Sequence, residues 1–334
     1  WQVDGSLTAV DVVTELAAMR RGDVFHIQWT QPIVHDMPDE EAARKNLKRF
    51  QKALTDARRD GVAVLWTVHN LMPHSAKFPL LEIELARFLA KEADRIIQLT
   101  GHTRAAAAEY YELPPGKMVT LPHASYVGIY GEAPDRATAR AELGIPLSSP
   151  TVGFIGQIRH YKGVSTLLRA VEHLSREEDD LTLVLAGKTS PTEFEAIERE
   201  IPRGVRAVRR HAFVPDEDIA TWFTACDVMA FPYRNILNSG SVLLAATYGV
   251  PTVIPAEANL VSHYGDQEWL RYYSAHDDDE RDLARQLAHL LNTGPRTRAS
   301  ARHFAESYTA WDMASDYLEV VRVVSRSPRG GSIS

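Results

Sequence analysis

The chain has 334 residues and a formal net charge of -7 at pH 7, with 45% hydrophobic and 24% charged residues. This balance is ordinary for a globular protein and excludes disordered, collagen-like and repeat-rich chains, while the length favours two domains of about 100 to 200 residues each. The negative charge argues against a nucleic-acid binder that depends on bulk charge, so we expect no nucleic-acid partner.

The single cysteine, Cys226, excludes internal disulfides and cysteine-cluster metal sites, which fits a reducing cytoplasm. No apolar run approaches the roughly 18 to 20 residues that cross a bilayer, and the first residues lack the pattern of a signal peptide. We therefore expect a cytoplasmic protein, either free in solution or at the inner face of the membrane.

In the first half, short apolar runs rich in branched residues alternate with segments of helical periodicity, which is the pattern of a parallel sheet built from βαβ units. Strands are predicted at 24–29, 62–68, 95–100 and 118–121. Helices are predicted near 8–20, 40–59, 80–91 and 103–111.

The same alternation returns in the second half. Strands are predicted at 151–155, 181–186, 205–209, 228–231 and 252–254. Proline and small polar residues between the halves are typical of a linker. We therefore predict an α/β protein with a first domain at 1–133, a linker at 134–150 and a second domain at 151–309. Residues 310–334 form a last helix, which either caps the second domain or packs back across a cleft, and a tail.

Polar side chains follow two predicted strands of the first half. Histidine is suited to proton transfer near neutral pH, so these residues are candidates for a base or a hydrogen-bond clamp, although a loop histidine is often structural. The candidates are His69, Asn70, His74, His35 and Asp36, with His123 as a further residue that could line a cleft.

The helix at 41–59 is net basic in an acidic protein. Basic amphipathic helices attract anionic lipid headgroups, which predicts peripheral membrane contact, whereas a solvated helix face gives the same pattern. Both interpretations stay open. The cations are Arg44, Lys45, Lys48, Arg49, Lys52, Arg58 and Arg59.

The clearest signal in the second half follows the strand at 151–155, where the chain turns at Gly156 and a helix begins near Gly163. Ligands of open α/β sheets bind at such strand ends, and a helix start offers free N–H groups and a positive dipole end. Arg159 and Lys162 add two cations to this loop. They suit a pyrophosphate and would stabilise a departing nucleoside diphosphate, although two surface charges are the plain alternative.

A second segment also joins a strand end to a helix start that could bind phosphate. The strand at 228–231 leads to Asn238, Ser239, Gly240 and Ser241, and then into a helix at 242–248. Asn238 or Ser239 can cap that helix, and Gly240 lets a phosphate approach the backbone. A capped helix without a ligand explains the same residues. The loop at 211–218, which lies between the two segments, could read a nucleotide base through its exposed backbone.

With these blocks in order, residues 150–255 resemble the retaining GT-B glycosyltransferases of glycosyltransferase family four. The matching blocks are 154–163, 185–187, 213–216, 225–228 with 231–232, and 249–251. The resemblance implies two Rossmann-like domains that face each other across a cleft, and it implies that His69 faces the donor sugar. By the resemblance, Arg159, Lys162, Val214, Ser239 and Gly240 are donor-site candidates. We add to the predicted donor site Gly156, Gln157, Phe213, Asn238 and Ser241, and we predict that the catalytic residues are His69, Arg159 and Lys162. The first domain would then carry the acceptor site, with Asn70, His74, His35 and Asp36 on the acceptor side.

The sequence departs from that family at two points. The family's usual pair of glutamates falls on Leu237 and Ala245, and its usual arginine after the first glycine falls on Gln157. Arg159 would then supply the second cation. The absence of the two carboxylates leaves the donor sugar and the retaining mechanism open.

The expected activity is transfer of a hexose from a GDP- or UDP-linked sugar to a hydroxyl of a glycan, glycolipid or natural product. The nucleotide sugar is a co-substrate, and no metal and no other cofactor is expected. His69 or Asp36 would be the base of an inverting reaction. A sugar-nucleotide epimerase and a nucleotide-sugar-binding protein without catalysis are the alternatives. A dinucleotide-dependent dehydrogenase is disfavoured because no Gly-x-Gly-x-x-Gly follows a strand.

Overall fold

The computed structural model describes residues 2–3, 5, 9–73, 76–234, 237–275 and 279–326. The chain divides into two compact units. The first comprises Trp1–His123 and Met313–Ser334, and the second comprises Ala124–Asp312. Each unit has a sheet and a hydrophobic core of its own.

The first unit contains a parallel four-stranded sheet in the order β1-β2-β3-β4. Its strands are β1 (Val24–Ile27), β2 (Ala63–Val68), β3 (Arg95–Gln98) and β4 (Met118–Thr120). Its helices are α1 (Ala9–Ala18), α2 (Glu40–Arg59), α3 (Pro79–Glu92), α4 (Thr103–Ala107) and most of α13 (Ala310–Arg326).

Local sequence explains where these elements lie. Every residue of β2 is buried, as expected for an inner strand covered on both faces. Helix α2 begins where the Asp39 side chain accepts a hydrogen bond from the backbone N–H of Ala42. Its apolar face, which includes Leu47, Phe50 and Leu54, is buried and leaves the charged face in water.

The last helix, α13, packs on the sheet of the first unit. Val320, Val321 and Val324 are buried in one cluster with residues of β2 and β3, including Leu65 and Ile97. Removing a valine side chain from water contributes about 1.5 to 3 kcal/mol. The apolar stripe of α13 is therefore part of the core of the first unit.

The second unit contains a parallel six-stranded sheet in the order β10-β9-β8-β5-β6-β7. Its strands are β5 (Thr151–Ile155), β6 (Thr182–Ala186), β7 (Arg206–Arg210), β8 (Val228–Ala230), β9 (Thr252–Pro255) and β10 (Leu270–Tyr273). Its helices are α5 (Arg136–Leu143), α6 (Val164–Leu174), α7 (Pro191–Glu200), α8 (Ile219–Thr224), α9 (Gly240–Thr247), α10 (Ala258–Tyr264), α11 (Asp279–Leu291) and α12 (Pro295–Glu306). The stretch 134–150, predicted as a linker, contains α5 and belongs to this unit.

The direction of winding reverses between β5 and β8. From β5 the chain builds outward through β6 and β7, then returns to the other side of β5 to form β8, β9 and β10. Such a reversal opens a crevice outside the carboxyl ends of the two central strands, where ligands of open α/β sheets bind. In this unit the loops that follow β5 and β8 flank that crevice.

At the opposite, amino-terminal end of these strands, Arg140 holds β5 and β8 in register. Its guanidinium is fully buried and donates to the Asp227 carboxylate at 2.6 Å and to the Thr151 hydroxyl at 3.0 Å. Asp227 also accepts from the backbone N–H of Thr151 at 2.9 Å. The remaining donors reach backbone carbonyls of Pro146, Leu147, Ser149 and Ala225. A buried charge with this many partners is compensated locally.

Two glycines let the loops at the carboxyl end of the sheet approach each other. Gly163 has φ +68°, and a Cβ placed on it would lie 1.9 Å from the carbonyl oxygen of Pro232. Gly187 has φ +151°, and a Cβ there would lie 1.8 Å from the carbonyl oxygen of Gly156. Only glycine fits such contacts, so the loops after β5, β6 and β8 are packed backbone to backbone.

We expect Gly163→Ala to lower the free energy of unfolding by at least about 3 kcal/mol, because it combines left-handed strain with a backbone clash. Gly144→Ala is the matched control. Gly144 has φ +65°, but a Cβ placed on it would meet no atom within 4 Å, so only the strain of about 1 kcal/mol should remain. Urea unfolding of both variants measures the difference, and equal losses would show that the contact with Pro232 is unimportant.

Candidate functional site

The loops after β5 and β8 form one connected surface at the switch point. The backbone N–H of Arg234 donates to the carbonyl of Tyr161 at 2.8 Å. A Cβ on Gly156 would lie 3.9 Å from the Ser241 hydroxyl, so the turn after β5 faces the first turn of α9. The structure therefore brings Gly156, Lys162 and Ser241 together from two separate segments.

Lys162 lies in an aromatic pocket within this surface. Its ammonium is 3.8 Å from the centroid of the Tyr233 ring and 5.3 Å from that of Tyr161. Burial lowers the pKa of Lys162 to about 8. No described carboxylate lies within ion-pair distance of it. A desolvated cation supported only by ring faces favours the arrival of an anion.

Helix α9 begins beside this cation. Ser239 precedes the helix in an extended conformation, and its side chain does not cap it. The Tyr233 hydroxyl donates to the Ser241 oxygen at 3.0 Å, and the Tyr264 hydroxyl donates to the Ser239 carbonyl at 3.3 Å. The first-turn N–H groups of Gly240 and Ser241 are thus held in place without a side-chain cap, which is the arrangement that binds phosphate at helix starts.

The other predicted cation of the loop is engaged elsewhere. The guanidinium of Arg159 lies 3.3 Å from the carboxylate of Glu193, which also accepts hydrogen bonds from Ser190 at the start of α7. Burial alone would raise the pKa of Glu193, but hydrogen bonds from Ser190 and Arg159 lower it below its ordinary value. Gln157 is exposed. Arg159 therefore reaches toward α7, and Lys162 is the cation at the centre of the site.

Phe213 and Val214 lie on the loop after β7, at the same edge of the sheet. Val214 is buried, whereas the Phe213 side chain is 68% exposed. His211 bonds Thr189 of the loop after β6 at 3.2 Å, and the N–H of Ile158 donates to the Lys188 carbonyl. Three neighbouring loops are thus connected in a row along this edge. Asn238 is half-buried directly before Ser239.

The two positions at which the resemblance expects glutamates are both buried. Leu237 is 9% exposed, and its carbonyl accepts from the Asn259 side chain at 3.0 Å. Ala245 is fully buried within α9. A carboxylate at either position would need its own buried partners.

In the first unit, a pocket lies at the carboxyl ends of β1 and β2. Aromatic and amide side chains dominate its wall, and His69 and Asn70 both contribute. The other principal lining residues are Gln28, Trp29, Trp66, Glu82 and Tyr111. The indole of Trp29 stacks on the His69 imidazole with a centroid distance of 4.4 Å and an interplanar angle of 15°. The Tyr111 hydroxyl donates to the Leu71 carbonyl at 3.1 Å.

A chain of hydrogen bonds orients His69. Its Nε2–H donates to the Gln28 oxygen at 2.8 Å, and the Gln28 amide donates to Nδ1 of His26 at 3.2 Å. The Tyr317 hydroxyl on α13 donates to the same nitrogen at 2.7 Å, and His26 Nε2–H donates to Thr67 at 2.8 Å. Nδ1 of His26 accepts both hydrogen bonds, so His26 is neutral in this arrangement.

The pKa values agree with this assignment. Burial, aided by the charge of His123, lowers the pKa of His69 to about 4. Burial, aided by the charge of His69, lowers the pKa of His26 to about 4 as well. His69 is thus an uncharged hydrogen-bonding group at neutral pH.

Glu82, on the first turn of α3, is the least expected lining residue. It is 4% exposed, and its Oε1 has no hydrogen-bond partner within the described ranges. Burial, with a smaller contribution from the charge of Asp36, raises its pKa to about 7. A carboxyl group that lacks a partner in a pocket is available to a ligand hydroxyl.

Two further candidates, His35 and Asp36, are not part of the pocket wall. His35 and Asp36 lie in the turns after β1, where Asp36 is exposed and Nδ1 of His35 is buried without a described partner. His74 lies outside the described residues. In the part of the chain that is described, no group of three His, Cys, Asp or Glu side chains could hold a metal ion, and no helix has the length and apolarity to cross a membrane.

Most of the second unit is similar to a known protein family. Residues 149–293 match the family model described as Glycosyl transferases group 1. A D-inositol 3-phosphate glycosyltransferase of Corynebacterium aurimucosum is 28% identical over 244 residues, which cover 69% of this chain and 57% of the relative. A GDP-mannose:glycolipid 4-beta-D-mannosyltransferase of Xanthomonas campestris is 25% identical over 73% of this chain and 64% of its own length. The chain thus spans less than two thirds of these relatives.

Solved structures show the same fold. The crystal structure of Anabaena HepE in complex with UDP and glucose has a TM-score of 0.71 and 15% identity, with 94% of this chain and 81% of that chain covered. Residues 149–293 therefore resemble the glycosyl transferases group 1 family, and the chain has the GT-B fold, which confirms the predicted fold class and the resemblance to GT-B glycosyltransferases. Membership of family four stays a prediction.

The raised pKa of Glu82 predicts a pH-dependent loss of stability. In the unfolded chain the carboxyl ionises near its ordinary pKa of 4.5, whereas in the folded chain it ionises near 7. The penalty is therefore absent below about pH 4.5, grows up to pH 7 and is complete above it, at most about 3 kcal/mol. We expect Glu82→Gln to gain stability over the wild type between pH 5 and pH 8.

Differential scanning calorimetry of the full chain at pH 5 and pH 8 measures this gain. Glu84→Gln removes an exposed carboxyl from the same helix and controls for the loss of one charge. If Glu82→Gln and the wild type lose stability in parallel, Glu82 does not carry the penalty.

Proposed function

We propose that this chain transfers a hexosyl group from a GDP- or UDP-linked sugar to the hydroxyl of a glycan, glycolipid or natural-product acceptor. The observation that carries the proposal is the desolvated Lys162 ammonium beside the start of α9, at the switch point of a glycosyl transferases group 1 domain. The named activities of the relatives and the UDP and glucose bound by HepE support a nucleotide-sugar donor.

The charge chemistry fits a nucleoside-diphosphate leaving group. As the bond from the sugar to the phosphate breaks, negative charge grows on the departing diphosphate. Lys162 and the first-turn N–H groups of Gly240 and Ser241 would stabilise that charge in a partly desolvated site, where electrostatic interactions are stronger than in water. These groups can take the charge-neutralising role without a metal ion, which is why we propose a metal-independent reaction.

Arg159 has a secondary role in this proposal. Its pairing with Glu193 anchors the loop after β5 to α7, so that Lys162 is presented on a fixed backbone. A bound diphosphate would compete with Glu193 for the guanidinium. Gly156, Gln157 and Asn238 would contribute backbone or amide contacts to the phosphates, and Phe213 and Val214 would lie by the base.

His69 would serve as a neutral hydrogen-bond acceptor toward substrate hydroxyls, because its single N–H donates to Gln28. Its lowered pKa makes it a weak base, so we favour a retaining reaction in which the departing phosphate helps to deprotonate the acceptor. The anomeric configuration of the product, determined by NMR, separates retention from inversion. An inverted product would show that the reaction needs a base from the protein, and His69 or Asp36 would then be the candidate.

We expect Lys162→Ala to lower kcat/KM for the donor at least about tenfold, because it removes the only cation at the centre of the described site, a loss of about 1.4 kcal/mol in transition-state stabilisation. The assay follows UDP or GDP release from UDP-glucose and GDP-mannose. Arg176→Ala, which removes an exposed cation just beyond α6, is the matched control. Unchanged kinetics in Lys162→Ala would remove Lys162 from the mechanism.

The pH profile provides a second readout of the same residue. In the free protein Lys162 is charged below its pKa of about 8 and loses its proton above it. The wild-type kcat/KM should therefore fall above pH 8, and Lys162→Arg should remove that fall because an arginine stays charged. No turnover of either donor with any hydroxyl acceptor would refute the proposed transfer.

We also propose peripheral membrane contact through α2, at the cytoplasmic face. Lys45, Lys48 and Arg49 are exposed and make no ion pair within the described part of the chain, whereas Lys52 pairs with Asp56 at 2.5 Å. The unpaired cations leave one stretch of the helix surface positive. Anionic headgroups are the partner that such a surface attracts.

We expect the wild type to sediment with vesicles that contain anionic phosphatidylglycerol, and the triple variant Lys45→Glu/Lys48→Glu/Arg49→Glu to stay in the supernatant. Each cation near an anionic surface contributes about 1 kcal/mol, so reversal of three charges should abolish binding. Arg203→Glu/Arg206→Glu, which reverses two exposed cations of the second unit, is the control. Wild-type protein that remains unbound would end this proposal.

A further inference from the structure

In the described part of the chain, the pocket of the first unit lacks the positive charge that a phosphorylated ligand would need, although the relatives of this chain include D-inositol 3-phosphate glycosyltransferases. Neither Lys nor Arg lines it among the residues that the structure describes. Among the described lining residues, Glu82 is the only carboxyl and His69 the only imidazole. The other polar side chains of the wall are neutral amides and hydroxyls, such as Gln28 and Asn70.

Neither titratable group can offer a positive charge near pH 7. Burial keeps the pKa of His69 at about 4, so its ring is uncharged near pH 7, and its Nε2–H donates to Gln28. Glu82 is either a neutral acid or an anion, and the nearby Asp36 adds further negative potential. An anionic ligand would find repulsion and no compensating cation on this wall.

The same wall is well suited to an uncharged ring that carries hydroxyl groups. Trp29 is 54% exposed, and its ring is held by the stack on His69. Such an indole binds the apolar side of a sugar or cyclitol ring. Glu82 Oε1 is buried, has no described partner and lines the pocket, so a ligand hydroxyl would satisfy it.

We propose that this pocket binds the acceptor as an uncharged polyol or sugar ring, with Glu82 hydrogen-bonded to one of its hydroxyls, and that it rejects the phosphorylated form of the same ring. The inference deepens the proposed function and rests on it for the identification of the pocket ligand as the acceptor. It separates this chain from a transferase whose acceptor carries a phosphate.

Glu82 acts here as the residue that determines specificity. A protonated Glu82 donates to and accepts from a hydroxyl, and an ionised Glu82 accepts from it, so a neutral acceptor is bound in both states. A phosphate dianion is opposed by the ionised form and gains at most one hydrogen bond from the acid. Replacing the carboxyl by an amide should therefore weaken the discrimination.

The test compares two matched pairs of probes on the full chain: myo-inositol with D-inositol 3-phosphate, and methyl α-D-mannoside with mannose 6-phosphate. Binding is measured by saturation-transfer difference NMR and titration calorimetry without any donor. We expect each neutral probe to bind at least about tenfold more tightly than its phosphate ester. In Glu82→Gln we expect that ratio to fall at least about threefold.

Glu84→Gln serves as the control, because it removes an exposed carboxyl from the same helix and should leave the ratio unchanged. The wild-type comparison needs no variant, so the proposal stays testable if Glu82→Gln fails to fold. Equal or tighter binding of the phosphate esters, an unchanged ratio in Glu82→Gln, or no binding of any probe would each overturn the inference.

These outcomes are distinct from failure of the proposed function. Donor turnover and its dependence on Lys162 concern the second unit and are measured without a ring acceptor, by nucleotide release during transfer to water. An enzyme that turns over the donor but prefers the phosphate esters would retain the proposed function and lose this inference. A protein that binds neutral rings but never turns over a donor would do the reverse.

Discussion

The candidate site of the second unit depends on one close contact, the approach of Gly163 to the backbone of Pro232. That contact fixes the loop after β5 against the loop after β8. The N–H of Arg234 then reaches the Tyr161 carbonyl, the Tyr233 ring lies under Lys162, and the Tyr233 hydroxyl reaches Ser241. The position of the cation relative to α9 is therefore a consequence of backbone packing and not of the flexible lysine side chain.

Each unit contains a buried or partly buried polar group that lacks a complementary partner among the described residues, and the two groups need partners of opposite kinds. The second unit offers a cation without a described anion, Lys162, and the first offers a carboxyl without a described donor, Glu82. Each group is costly to bury alone, and each cost is relieved by a ligand of the complementary kind. Each unpaired group destabilises the unliganded protein, and a complementary ligand would remove that destabilisation, as is common at functional sites.

Much of the fold followed from the sequence, because its apolar runs are short and well separated. The strand at 151–155 and the helix at 40–59 were predicted with the bounds that the structure has, since Gly156 ends the first and Asp39 begins the second. Strand β10 was not predicted. It lies at the edge of the sheet, and its sequence, Leu270–Tyr273, mixes an arginine with aromatic residues, so it gives neither a buried run nor a strict alternation.

The sites were predictable only where they consist of consecutive residues. Lys162 could be found because it lies on the loop of a βα unit, but its support by Tyr233 joins residues far apart in sequence. Glu82 and Glu84 look alike in the sequence, as two glutamates in the first half of α3, and only tertiary packing buries one and exposes the other. Trp29 was predicted to end β1, but the strand stops at Ile27, which frees the indole to stack on His69.

The placement of α13 affects how the first unit folds during translation. The sheet of the first unit is built from the first 120 or so residues, yet the valines that cover it and the Tyr317 hydroxyl that orients His26 come after the whole second unit. During translation the strands of this sheet are made before α13, so the apolar surface that α13 covers stays exposed while the second unit is synthesised, and exposed apolar surface favours aggregation of folding intermediates. The chain of hydrogen bonds from Tyr317 through His26 to His69 is complete only after α13 has been made.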